Sequence, residues 1–267
     1  MTKTNAGNFF EDFKVGQVLH HATPRTVTEG DVALYQALFG SRFSLQSSAE
    51  VARKAGYKAA PVDDMLAFHI VFGKTVPDVS LNAVANLGYA DCRFLRPVFP
   101  GDTLSTESKV IGLKENSNGE TGVVYVRSTG RNQQGETVID YVRWVMVRKR
   151  DKAAKAPEED VPHLPAAVGA EHLIAPAGTS FKGFDTAASG SPHLWDDYEK
   201  GEKIDHVDGI TIEEAEHMMA TRLYQNTAKV HFNQYTEGKG RFGRRLIYGG
   251  HVISLARALS FNGLGNA

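Results

Sequence analysis

The sequence predicts an α+β protein in which an antiparallel sheet wraps a buried helix, with the same unit begun a second time but left without its strands. Three observations predict it. The run from Val62 to Lys74 is apolar nearly all round (Met65, Leu66, Phe68, Ile70, Val71, Phe72), so a helix there has to be buried on every side. Residues 97–148 then read as strands separated by polar turns. The beginning of the chain also matches a later segment at a constant offset of 185 residues, which indicates duplication.

The elements follow in order. Phe10-Glu11-Asp12-Phe13 with Gly16-Gln17 parallels Trp195-Asp196-Asp197-Tyr198 with Gly201-Glu202. The offset holds for His21 and His206, Thr26 and Thr211, Glu29 and Glu214, Leu38 and Leu223, and Leu45 and Val230. Thr28 is a candidate N-cap, with Glu29 and Asp31 as first-turn acids and Val32, Tyr35, Leu38 and Phe39 at helical spacing. Gly73-Lys74-Thr75 resembles the end of a phosphate loop, but Phe68 stands where that loop needs its first glycine. Strands are expected from Tyr89 to Pro97 and from Leu104 to Leu113. Two more are expected from Thr121 to Gly130 and from Thr137 to Arg148. The last is apolar on both parities (Val138, Val142, Trp144, Met146 against Ile139, Tyr141, Val145, Val147), which suits a central or covered strand.

These patterns divide the chain into a first unit over 1–150, a connector over 151–193 punctuated by prolines, and a second unit over 194–267. The second unit opens its helix at Thr211-Ile212-Glu213-Glu214 and packs Met218, Met219 and Leu223. It has no counterpart of Pro97 to Val147, so Ile253, Leu255, Ala256, Leu259 and Phe261 are expected to lack a sheet to cover them. The expectation is a longer polypeptide, or a partner chain over that face.

Composition narrows the function classes. Thirty Lys+Arg against thirty-one Asp+Glu leave a net charge of -1, which gives no basic field for nucleic acid or an anionic membrane surface. No window approaches the roughly 18 consecutive apolar residues of a membrane span, and the polar start at Met1 to Asn8 lacks a signal-peptide core. A single cysteine, Cys92, excludes an internal disulfide and fits the cytoplasm. Its strand-like setting marks it as a buried thiol rather than a nucleophile.

The chemistry-bearing stretch is Asn226-Thr227-Ala228-Lys229-Val230-His231, followed by Tyr248-Gly249-Gly250-His251 and the apolar run Val252-Ile253-Ser254-Leu255-Ala256. It puts an imidazole, which moves protons near neutral pH, ahead of a glycine-led helix start. The free N–H groups of such a start can hold developing negative charge. A packed histidine before an apolar helix is the plainer alternative. At the repeat offset, Ser41 falls on Asn226 and Gln46 on His231, so only the second copy carries a titratable group there.

Pro97-Val98-Phe99-Pro100-Gly101-Asp102-Thr103-Leu104 after a buried helix, together with the Asn226-to-His231 spacing, resembles the MaoC-like hydratases of the hot-dog fold. Two long runs, Phe9 to Phe43 and Leu194 to Gly263, resemble the mesaconyl-CoA hydratase (β-methylmalyl-CoA dehydratase) branch of that family. The resemblance implies a double hot-dog protein, truncated here after its second helix, and reversible hydration of an α,β-unsaturated acyl-CoA. Coenzyme A would enter only as part of the substrate, with no other cofactor and no metal, and a homodimer is expected.

On the family pattern, His231 matches the hydratase histidine, and Gly249 and Gly250 match the oxyanion-hole region. Asn226 departs from the family aspartate; an amide cannot serve as a base at neutral pH, though it can orient a water. Asp63 and Asp64 are candidates for an assisting carboxylate, with helix capping as their alternative role. Arg222, Arg241, Arg244 and Arg245 are candidates for the substrate carboxylate or for coenzyme A phosphates. Two rivals stand beside the hydratase: a thioesterase of the same fold, and a non-catalytic acyl-CoA-binding subunit.

Overall fold

The computed structural model describes residues 3–267 apart from Arg241. The first unit is an antiparallel sheet in the order β1-β3-β4-β5-β2. Its strands are β1 (Val18–Thr26), β2 (Ala83–Phe94), β3 (Thr103–Glu115), β4 (Thr121–Arg131) and β5 (Thr137–Arg148). The helices are α1 (Glu29–Phe39), α2 (Ser44–Ser47), α3 (Ala49–Lys54), α4 (Asp64–Thr75), α5 (Thr186–Ser189), α6 (Glu214–Leu223), α7 (Gln234–Glu237) and α8 (Gly249–Leu264). The sheet curls around α4, from which every residue between Leu66 and Thr75 is buried. Leu66, Ile70, Val71 and Phe72 meet Val138, Ile139 and Tyr141 of the sheet and Leu255 and Ala258 of α8 in one cluster. Each such side chain contributes about 1.5–3 kcal/mol on leaving water.

The local rules explain most boundaries. Thr28 and Asp31 close a reciprocal capping box on α1, and Gly40 ends that helix in the left-handed conformation. β5 is buried on both parities because α4 covers one face, while β4 and β2 flank it. The sequence reading had no strand at 18–26. β1 pairs only with β3, lies at the sheet edge and carries Pro24, so it lacks the alternation of a half-buried strand. β2 starts six residues before the expected Tyr89. It is the other edge, and its residues 84–87 are exposed, which removes the apolar signal.

Among the described residues, 194–267 hold helices and turns but no strand. The second unit supplies no sheet for α8 among the described residues, and the first unit covers part of the helix instead. Leu255 and Phe261 are buried, and Phe261 meets Phe43 edge-on at 5.6 Å. Half of the helix therefore rests on the first unit, while Val252, Ile253 and Ala256 stay exposed. The joint is polar at its centre. His69 of α4 is hydrogen-bonded through Nε2 to Ser254 Oγ at 2.9 Å and through Nδ1 to Tyr248 Oη at 3.2 Å. Tyr35 of α1 donates to the same Ser254 at 3.0 Å.

Burial holds the imidazoles of His69 and His251 down to about 3 and about 4, and lowers those of His21, His217 and His231. The unfolded chain therefore takes up more protons at these sites. Their contribution is complete above pH ~6.5 and is lost as the pH falls towards about 4. Asp64, raised to about 6 by burial, works in the opposite sense but is outnumbered. The midpoint of urea unfolding should fall steadily between pH 6.5 and 4.5; a flat profile would contradict this packing.

Candidate active site

The site is built where the second unit's loop folds back on α8. α6 ends at Leu223, and the chain turns through Gln225, whose φ of 52° is left-handed. The turn sits hard against α4. A Cβ on Gly73 would lie 2.0 Å from the carbonyl oxygen of Tyr224, so only glycine lets the loop approach. Asn226, buried, accepts a hydrogen bond on Oδ1 from the Ala228 N–H at 2.9 Å. This side-chain-to-backbone bond shapes the turn that leads into the 3-10 segment Lys229–His231. Its oxygen is thereby engaged in the turn.

His231 is held from the other side. Val230 and Leu246 are joined by a backbone bond of 2.9 Å, and His231 Nδ1 donates to the Leu246 carbonyl, also at 2.9 Å. A carbonyl only accepts, so Nδ1 carries the proton and Nε2 holds the free lone pair of the neutral ring. Burial lowers the imidazole below its ordinary value, against the raising effect of the Leu246 carbonyl and of Glu237. The ring is therefore a neutral base at pH 7.

The imidazole packs 5.4 Å, centroid to centroid, from the ring of Tyr248, the residue immediately before α8. That helix has no side-chain N-cap. A Cβ on Gly249 would meet nothing within 4 Å, so open space fronts its backbone. Gly250 differs: a Cβ there would lie 2.4 Å from the Tyr248 ring and 2.5 Å from His69. The two glycines thus divide the work, Gly249 facing the opening and Gly250 allowing the helix to seat on His69.

The first copy presents the opposite electrostatics. Asp63 caps α4 by accepting from Met65 N at 2.9 Å, takes Ser41 Oγ at 3.1 Å and pairs with Arg257 at 3.4 Å. Asp64 lies in the first turn. Two carboxyl groups at that helix start leave no place for a developing oxyanion, and Gln46 makes only backbone hydrogen bonds. Their role is capping, as the plainer alternative had it.

The arginines fare unevenly. Arg222 is exposed, and Arg244 is exposed with Glu214 at 3.6 Å. Arg245 is mostly buried but tied to Glu214 at 2.5 Å and to Met218 Sδ at 3.2 Å. Arg241 lies outside the described residues. Cys92 is pushed up to about 12 by burial and stays a thiol. A residue missed from sequence is Arg143. It stands on the inward parity of β5 among Ile139, Tyr141, Val145 and Val147, and a lone charge in that row is the signal.

Replacing Gly73 with alanine forces its new methyl into the Tyr224 carbonyl. Overpacking of this kind costs about 1–3 kcal/mol. Thermal melting should show that loss. Activity should fall with it, because the displaced turn carries Asn226 and aims His231; an unchanged melting midpoint would contradict the close approach.

Comparison with known proteins agrees with this architecture. The chain is 66% identical over 265 residues to a β-methylmalyl-CoA dehydratase of Chloroflexus aurantiacus, covering 99% of this chain and 75% of that protein. It is 65% identical over 265 residues to a mesaconyl-CoA hydratase of Cereibacter sphaeroides, covering 99% of this chain and 76% of that one. A crystal structure of a MaoC domain protein dehydratase from Chloroflexus aurantiacus superposes with a TM-score of 0.97 at 66% identity, covering 100% of this chain and 76% of that one. A Mycobacterium tuberculosis protein described as a double hotdog fold superposes at 0.68 with 26% identity, covering 97% and 78%. The family model for mesaconyl-CoA hydratase matches residues 1–262. With its curled sheet on a buried helix and its second, glycine-led helix, the chain belongs to the mesaconyl-CoA hydratase family of MaoC-like, double hot-dog proteins.

Proposed function

We propose that the protein is a hydro-lyase that interconverts mesaconyl-CoA and β-methylmalyl-CoA, with His231 as its acid and base. The names of the relatives that match over nearly the whole chain supply the substrate. The observation that carries the site is the Nδ1 bond from His231 to the Leu246 carbonyl, beside a helix start without a side-chain cap. It leaves Nε2 as the group free to take a proton.

In the hydration direction the thioester oxygen accepts a hydrogen bond from the Gly249 N–H, supported by the α8 dipole and the Gly250 peptide. Nε2 of His231 removes a proton from water as the water oxygen bonds to the β-carbon. The electron pair of the C=C bond moves to the α-carbon and the thioester oxygen, giving an enolate. The imidazolium returns its proton to the α-carbon, so one water is added and no other reagent is consumed. Oxyanion donors of this type contribute about 10²–10³ in rate, and a positioned acid/base group about 10²–10⁴. The scheme needs only side chains, peptide N–H groups and water, with coenzyme A held in the substrate. Among the described residues, no helix is long and apolar enough to cross a membrane. We place the reaction in the cytoplasm, on a homodimer.

His231→Ala should lower hydration of mesaconyl-CoA by about 10²–10⁴ while the fold persists. Loss of the enoyl thioester absorbance follows the reaction, and retained activity would refute the role. Because the neutral ring is the working form and its pKa is lowered, activity should be full above pH ~6.5 and decline only at lower pH. A limb centred well above 6.5 would contradict this. Thiol release should stay at background throughout, separating hydration from thioester hydrolysis.

A further inference from the structure

The interior of the first unit holds a cation with nothing to neutralise it. Arg143 is 0% exposed and projects from β5 towards α4. Its guanidinium carbon lies 4.4 Å from the centroid of the Phe72 ring. Nη2 donates to Thr75 Oγ1 at 2.8 Å and to Ser80 Oγ at 3.3 Å, both neutral hydroxyls. Nε and Nη1 are buried without a hydrogen-bond partner, and so is the hydroxyl of Tyr141, two residues away on the same face of β5. Asp78, beside Ser80, is engaged instead by His21 at 2.7 Å. Among the described residues, no carboxylate bridges Arg143. A cation left unpaired in the interior is costly, so such groups are retained where they meet an anion.

The location points to which anion. Phe72, under the guanidinium, also packs on Tyr248, with ring centroids 5.5 Å apart. Tyr248 in turn packs on His231 and immediately precedes Gly249. Two buried rings, Phe72 and Tyr248, thus link Arg143 to the imidazole. Arg143 lies on the interior side of those rings. A guanidinium with unpartnered N–H groups is a charged donor to a carboxylate oxygen. The phosphates of coenzyme A would remain outside such an interior. The arginines nearer His231 in sequence do not serve as well: Arg222 and Arg244 are exposed, and Arg245 is already paired with Glu214.

We propose that Arg143, through an unpartnered N–H of its buried guanidinium and assisted by the Tyr141 hydroxyl, receives the free carboxylate of a dicarboxylic acyl-CoA and selects it over uncharged enoyl-CoA esters. The proposal rests on the hydratase reading above. It makes Arg143 a specificity residue contributed by the unit that lacks the histidine, so the two copies share one site.

The test compares kcat/KM for mesaconyl-CoA and for uncharged 2-methylcrotonyl-CoA in the native gene product, in Arg143→Met and in Arg143→Lys. The wild type should prefer mesaconyl-CoA. In Arg143→Met that preference should fall at least a hundredfold, chiefly through the charged substrate, while the melting temperature is unchanged or raised by loss of a buried unpaired charge. In Arg143→Lys, which keeps the charge but not the planar guanidinium and its placement of N–H donors, it should fall about tenfold. An unchanged ratio in either variant would overturn the proposal, and so would an equal loss on both substrates with a lowered melting temperature, the mark of a purely structural arginine. Absence of hydration of either ester by the wild type would instead overturn the hydratase reading.

Discussion

The seat of α8 on α4 is the constraint on which the rest of the structure depends. A fully buried imidazole, His69, holds Tyr248 with one nitrogen and Ser254, six residues further along, with the other. The contact fixes both the rotation of α8 and its height on α4. Gly250 is required because His69 and the Tyr248 ring occupy the place of a Cβ. Once the helix is seated, Tyr248 becomes the wall on which His231 packs, and the Gly249 peptide is left facing open space. A polar joint in an apolar interior is stable only when each member has a partner, and His69 has two.

Duplication followed by divergence accounts for the asymmetry of the two helix starts. In the first copy Asp63 spends its carboxylate on the α4 peptide N–H groups, Ser41 and Arg257, which stabilises the helix and forbids an anion there. In the second copy Tyr248 stands where Asp63 does and Gly249 where Asp64 does, and the helix forgoes a side-chain cap. A missing cap costs about 0.5–2 kcal/mol, and the exposed N–H groups are what that cost makes available for chemistry. The first copy is then free to serve as support: its sheet and buried helix provide the surface on which the second copy's loop is moulded, at Gly73 above all.

Much of this was legible in the sequence because it is written in local patterns. The all-apolar run around Leu66 to Phe72 placed α4, and the two-sided apolar run from Thr137 to Arg148 gave β5 with its observed limits. The constant offset exposed the repeat, and the hydratase pattern singled out His231, Gly249 and Gly250. Edge strands were harder. β1 and the first half of β2 lie at the two sides of the sheet, where exposure and residues such as Pro24 and Gly88 erase alternation. Roles that depend on distant contacts were beyond reach. Asn226 proved to cap a turn, Arg245 is neutralised by a helix acid 31 positions earlier, and Gly250 is a packing glycine. The Asn226 turn is local, closing on Ala228, but the Arg245–Glu214 pair and the approach of His69 to Gly250 join residues far apart in sequence.

The central claim is that one thioester lies between the lone pair on His231 Nε2 and the Gly249 N–H. A crystal structure of the protein with methylsuccinyl-CoA, a saturated analogue that cannot be hydrated, tests it most directly. The account places the thioester oxygen within about 3 Å of the Gly249 nitrogen, and the acyl carbons next to the ring edge bearing Nε2, with Nδ1 still bonded to Leu246. An acyl group bound elsewhere, or a His231 ring turned so that Nδ1 faces the ligand, would contradict it.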